Sequence, residues 1–250
     1  MTKADITLES NNPETISPVL RHEGAIHYYW IKGTQAQIRN AVRRRMRKFG
    51  LRGNPEDLVS AAIPAGTMFE EVDVVLDESR IIINADTAKN QNGPSSREYS
   101  RSRMTRTIHL GNDGKPVCHN DYFRLAPADR SRGVDMFRSQ VAGMRRLGLD
   151  RMETHAAGNG MERHLPDAFN GYYTWPRFGY ESELSRYNKS LLPDAFRHVT
   201  HVSDLMETRE GRAAWQMYGS DLENAVFDLK DGSYSLNTLR IYLLERASKS

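Results

Sequence analysis

Residues 130–135, RSRGVD, set two arginines, a serine and a glycine directly before a run with helical periodicity. A helix start offers backbone N–H groups and the positive end of the macrodipole, and glycine lets a ligand approach closely. The pattern suits an anion such as a phosphate; it suits equally an arginine-rich turn into a core helix. In RMETHAA (residues 151–157), alternation puts Arg151, Glu153 and His155 on one strand face. A carboxylate beside an imidazole can move protons, or it can be one part of a surface ion-pair network. His119 and Asp121 are further candidate bases. Cys118 and His119 do not form a thiol–imidazole dyad, because successive strand residues face opposite ways. Across residues 37–53 every charged side chain is basic: Arg39, Arg43, Arg44, Arg45, Arg47, Lys48 and Arg52. A helix aligns Arg39, Arg43 and Arg47, with Arg44 and Lys48 beside them, which suits nucleic-acid phosphates. The same run also reads as a solvated face over an apolar stripe of Ile38, Val42, Met46 and Phe49. His155 with His164, and His198 with His201, lack any HExxH or CxxC context, so no metal site is expected.

The chain has 250 residues, enough for one large domain or two small ones. It is 38% hydrophobic, with a formal net charge of +3 and a mean hydropathy of −0.66. No apolar run approaches the roughly 18 to 20 residues that cross a bilayer. Residues 1–18 lack the apolar region of a signal peptide, and Cys118 is the single cysteine, so a cytoplasmic location is expected. Residues 1–22 read as a mobile arm and 23–66 as a helical basic segment, with a helix over 27–49. Strands are expected over 67–77, 80–86, 102–110 and 116–127, with a loop at 87–100 and a hairpin turn, GNDGK, at 111–115. Val134, Phe137, Val141, Met144 and Leu147 share one helical face, which Gly148 ends. Residues 191–250 read as a helical extension of two helices around a short segment, with Ser203 and Ser235 as candidate caps. Its apolar stripe of Leu239, Tyr242 and Leu243 could complete the core, form a homodimer face or build an acceptor site.

Residues 122–180 resemble the core of the GNAT superfamily of N-acetyltransferases. In that family a strand leads into a Gln/Arg-x-x-Gly-x-Gly/Ala loop and a long helix, matched by Arg130-Ser131-Arg132-Gly133-Val134-Asp135. The next strand corresponds to RMETHAA, and a Tyr-x-x-x-Gly-Phe ending is matched by NGYYTWPRFGYE (residues 170–181). The resemblance implies an α+β fold. Its mixed, mostly antiparallel central sheet would be flanked by helices over 67–190, with extra N- and C-terminal helical segments. It implies acetyl-coenzyme A as cosubstrate, with Phe123, Arg124 and Leu125 along the pantetheine arm and the loop from Arg130 to Asp135 at the pyrophosphate. Asn170 would contact the cofactor or cap a helix. Glu153 and His155 would serve as proton acceptors, and Tyr173 or Tyr172 as the acid, since Trp175 stands where the family has tyrosine. Asp135 likewise stands where the family has glycine or alanine. The expected activity is acetyl transfer to an amine carried by a small molecule, a protein or a nucleic acid, with no membrane partner. The alternatives are a non-catalytic binding protein on this scaffold and a nucleic-acid-binding protein using Arg39, Arg43, Arg44 and Arg47.

Overall fold

A computed structural model describes residues 16–20, 26–30, 35–63, 71–76, 79–87, 102–165 and 168–248. The expected loop beyond residue 87, the first fifteen residues of the expected arm and the side chain of Ile38 lie outside the described residues. The fold is α+β. A two-stranded sheet pairs Ile16–Leu20 (β1) with Ile26–Trp30 (β2). A six-stranded sheet has the order β3-β4-β5-β6-β7-β8. Its strands are Glu71–Leu76 (β3), Arg80–Asp86 (β4), Arg103–Leu110 (β5), Pro116–Arg124 (β6), Arg151–Ala156 (β7) and Leu222–Asp228 (β8). The β3–β4, β4–β5 and β7–β8 pairs are antiparallel and β6–β7 is parallel. The chain forms two compact units: Met1–Pro116 with Tyr122–Gly148, and Val117–Asp121 with Leu149–Ser250.

In the first unit the N-terminal reading needs correction. Residues 26–30 form a strand rather than a helix start, and residues 16–20 of the expected arm pair with it, from Ile16↔Trp30 to Leu20↔Ile26. The run His27-Tyr28-Tyr29-Trp30 is aromatic and suits a pleated surface better than a helix. The helix itself, α1, spans Gln35–Lys48 and buries Val42 and Met46, with Phe49 just beyond its end. The next helix, α2 (Pro55–Ala62), starts on a capping box: Asn54 Oδ1 accepts from the Asp57 amide, and Asp57 Oδ2 from the Asn54 amide, each at 2.9 Å. Both strands around the hairpin turn form as expected, and Gly114 takes φ 73° there. The third helix, α3 (Gly133–Leu147), buries the predicted stripe, and Gly148 closes it in the left-handed region at φ 87°.

The second unit joins Val117–Asp121 of β6, β7 and β8 with α4 (Gly171–Arg177), α5 (Arg186–Leu191), α6 (Val202–Glu207), α7 (Arg209–Tyr218) and α8 (Tyr234–Ala247); α4 packs on β7 and β8, α8 on β8, and α6 on α4 and α7. The short segment of the C-terminal extension is therefore β8, a strand whose buried positions Leu222, Ala225 and Phe227 are separated by exposed Glu223 and Asn224 and by half-buried Val226. Asn120 Nδ2 donates to the Tyr180 hydroxyl at 2.7 Å, and Thr154 Oγ1 to the Asn120 carbonyl at 2.8 Å, so these buried polar groups are satisfied. Trp175 sits in the same core, edge-on to Tyr180 with ring centroids 5.2 Å apart. The capping residue of α8 is Ser233, whose hydroxyl accepts from the Leu236 amide, while Ser235 Oγ instead accepts from the Asp228 amide at 2.9 Å. For α6 the N-cap is His201; Ser203 lies inside the helix.

Candidate functional site

The parallel register of the second unit runs Val117↔Arg151, Cys118↔Met152, His119↔Glu153 and Asn120↔Thr154. Paired residues share a face, and so do residues two apart. One face therefore carries His119, Asp121, Arg151, Glu153 and His155. The other carries Cys118, Asn120, Met152 and Thr154, all buried. Cys118 is fully buried, which removes it as a nucleophile.

On the charged face the pairing differs from the expected Glu153–His155 couple. Glu153 Oε1 accepts from Arg151 Nε at 2.7 Å. His155 lies beside a register shift between Thr154 and Ala156, and its Nε2 is 3.5 Å from Asp221 Oδ2. A bulge re-aims the side chain that it carries, so His155 leans toward Asp221. The Asp221 carboxylate also accepts from the Gly158 amide, at 2.6 Å. The imidazole with a close carboxylate is His119, whose Nδ1 is 3.0 Å from Asp121 Oδ1. When Nδ1 carries the proton and donates to Asp121, Nε2 is left as the acceptor. The sequence signal for this pair is His-x-Asp within a strand, where i and i+2 share a face. Arg151 and Glu153 are each about three-quarters buried, with 23% and 29% of the side chain exposed, so Glu153 is held as the local partner of Arg151.

Tyr172 is fully buried; its hydroxyl donates to the Gln216 carbonyl at 2.7 Å. Burial raises its pKa, only partly offset by Arg163. It is a structural donor, poorly suited to give up a proton. Tyr173 is half-buried under the Arg177 guanidinium, 5.5 Å from its ring centroid. Asn170 precedes α4 without a side-chain capping bond, and its backbone bridges to Gly158.

In the first unit, residues 127–132 of the arginine-glycine turn are themselves wound as a 3-10 helix, Pro127–Arg132, running straight into α3. The Gly133 amide donates to the Arg130 carbonyl, so it is consumed within the turn. Arg130, Ser131 and Asp135 are exposed, Arg132 is half-buried, and Gly133 and Val134 are buried. An added Cβ on Gly133 would lie 3.1 Å from Leu125 Cδ1 and 4.0 Å from Phe123 Cζ. Gly133 thus lets the helix start settle onto the end of β6. The turn is anchored by Ser102, whose Oγ donates to Asp129 Oδ2 at 2.7 Å and accepts from the Ala126 amide at 2.9 Å. Arg106 is buried beneath the same segment; its Nη1 donates to the Tyr122 carbonyl at 2.7 Å, and its guanidinium lies 5.3 Å from the Phe123 ring centroid. This support of residues 122–123 by a buried arginine from β5 was not read from the sequence, where Arg106 is one polar residue in an alternating strand.

The chain matches no family model, no curated protein and no solved structure.

On α1, Arg43, Arg44, Arg47 and Lys48 are exposed. Arg39 is held by Glu56 of α2 at 2.7 Å, so its charge is locally balanced. Among the described residues no group of three or more His, Cys, Asp or Glu side chains is arranged to hold a metal, and no helix is long and apolar enough to cross a membrane.

Proposed function

We infer that the chain is an acyl-coenzyme A-dependent N-acetyltransferase of GNAT type. The observation that carries the reading is the parallel β6–β7 pair, joined through α3, with His119, Asp121, Glu153 and His155 on one face. The register ends at Asn120↔Thr154 while β6 continues to Arg124. In acetyl transfer the amine nitrogen attacks the thioester carbonyl, a base takes the ammonium proton, and the coenzyme A thiolate leaves and is protonated. His119, oriented by Asp121, has the form of such a base, and Glu153 is an anionic neighbour for a cationic amine. In the first unit, considered by itself, Arg130 and Arg132 are the groups suited to a pyrophosphate, since guanidinium binds phosphate bidentately and the turn itself uses the Gly133 amide. A non-catalytic binding protein on this scaffold is the competing reading, and Trp175 favours it: an indole packed in the core supplies no acid.

The test is calorimetric titration with acetyl-coenzyme A. Wild type is expected to bind, and Arg130→Glu with Arg132→Glu is expected to weaken binding about tenfold or more, since each charge-assisted pair contributes about 1.5–3 kcal/mol. Absence of binding by wild type removes the acyltransferase reading. Binding without thiol release across a panel of small amines, polyamines and lysine peptides leaves the scaffold reading in its place.

A further inference from the structure

We propose that the first unit carries a docking surface for the phosphate backbone of a nucleic-acid duplex, built jointly from the C-terminal ends of α1 and α3. The chain after α1 turns back at Gly50, and the Arg52 amide donates to the Leu147 carbonyl at 2.8 Å. The Arg52 side chain lies along Gly148, within 3.5 Å of where a Cβ would stand. This tie holds the chain just past α1 against the last turn of α3, and each helix ends in basic residues: Arg45, Arg47 and Lys48 on α1, Arg145 and Arg146 on α3. Arg44, Arg47, Lys48, Arg52, Arg145 and Arg146 are all exposed. No acidic residue occurs in 37–53 or in 136–149. On the adjoining helix, Glu56 pairs with Arg39 and Asp57 accepts from the Asn54 amide; Asp150 follows three residues after the end of α3.

Helix C-termini attract cations through the macrodipole, an effect worth about 0.3–1 kcal/mol that fades within one turn. That accounts for a cation or two on each helix, but not for Arg44, a turn earlier, or Arg52, beyond the helix. The surface is dominated by arginine, whose planar fork matches phosphate oxygens. Among the described residues, none of the exposed large apolar side chains belongs to α1, α2 or α3. A protein partner would look for such an anchor. Single-stranded nucleic acid would look for aromatic platforms on which to stack bases. Charge without either fits sequence-independent contact with a duplex backbone. This proposal is independent of the acetyltransferase reading, since it needs no cofactor.

The experiment is fluorescence anisotropy of the full chain with labelled duplex RNA and duplex DNA of mixed sequence, plus a single strand, across a potassium chloride series. Wild type is expected to bind one or both duplexes more tightly than the single strand, with log affinity falling linearly in log salt. Arg44→Gln with Arg47→Gln, and separately Arg145→Gln with Arg146→Gln, are each expected to weaken binding about tenfold and to reduce the slope by about 1.8, twice the roughly 0.9 per phosphate of a B-form duplex. Arg186→Gln with Lys189→Gln in the second unit should change neither. Far-ultraviolet circular dichroism confirms that the variants fold. The proposal is overturned if wild type shows no salt-dependent duplex binding, if the single strand binds more tightly, or if the α3 pair leaves the slope intact.

Discussion

Trp215→Ala is expected to destabilise the second unit by about 3–5 kcal/mol, the range for emptying a large aromatic from a core, and so to remove much of the roughly 5–15 kcal/mol that holds a typical domain folded. Trp215 is fully buried in α7, and its ring lies 6.3 Å from that of Tyr172 in α4. Its Nε1–H donates to the Tyr172 carbonyl at 2.8 Å, and the Tyr172 hydroxyl donates back to the Gln216 carbonyl at 2.7 Å. The alanine variant thus leaves a cavity and strands a buried carbonyl, each a separate cost. Trp215→Phe keeps most of the volume and loses the donor, so it should cost about 1–3 kcal/mol, the penalty for one unsatisfied buried group. Urea unfolding followed by circular dichroism measures both. If the two variants lose equal stability, the cavity is not the main contribution and the packing account of this core fails.

Gly143→Ala is expected to destabilise the first unit by about 1–3 kcal/mol, although alanine is the better helix former by about 1 kcal/mol. The magnitudes decide the sign. A Cβ at residue 143 would stand 2.5 Å from Ala61 Cβ and 2.7 Å from Ala61 Cα, so α2 and α3 must move apart as backbones. A rotamer change cannot relieve a clash with a Cα. Since α3 carries the arginine turn at one end and the basic surface at the other, the same variant should disturb both. The shift in the midpoint of thermal unfolding reads the effect. Ala61→Gly added to Gly143→Ala removes the closer atom and should return part of the loss; a variant more stable than wild type would mean that the two helices are not in this contact.

The local elements were legible because their signals are local. The β-branched alternation of residues 71–86, the GNDGK turn, the stripe from Val134 to Leu147 and its glycine stop need only neighbours in sequence to declare themselves. Errors came where tertiary pairing outranks periodicity. Residues 26–30 carry aromatics at spacings that a helix would also accept, and their pairing with Ile16–Leu20 makes them a strand. The short segment between the two C-terminal helices has no clean alternation, since Glu223 and Asn224 follow Leu222 together, and only the β7 ladder makes it the strand β8.

For the candidate site, composition and spacing were enough to single out His119, Asp121, Glu153, His155 and the arginine turn as residues able to do chemistry. The sequence by itself determined the strand-turn-helix-strand order, the basic bias of residues 37–53 and the single cysteine. Only the tertiary structure decided which groups meet: His119 with Asp121, Glu153 with Arg151, Arg39 with Glu56, and Arg52 with the end of α3. Ion pairs and hydrogen bonds act over about 3 Å. Sequence fixes which face of an element a side chain occupies, whereas register, bulges and chain reversals fix the last few ångströms, and these follow from contacts between residues far apart in the chain.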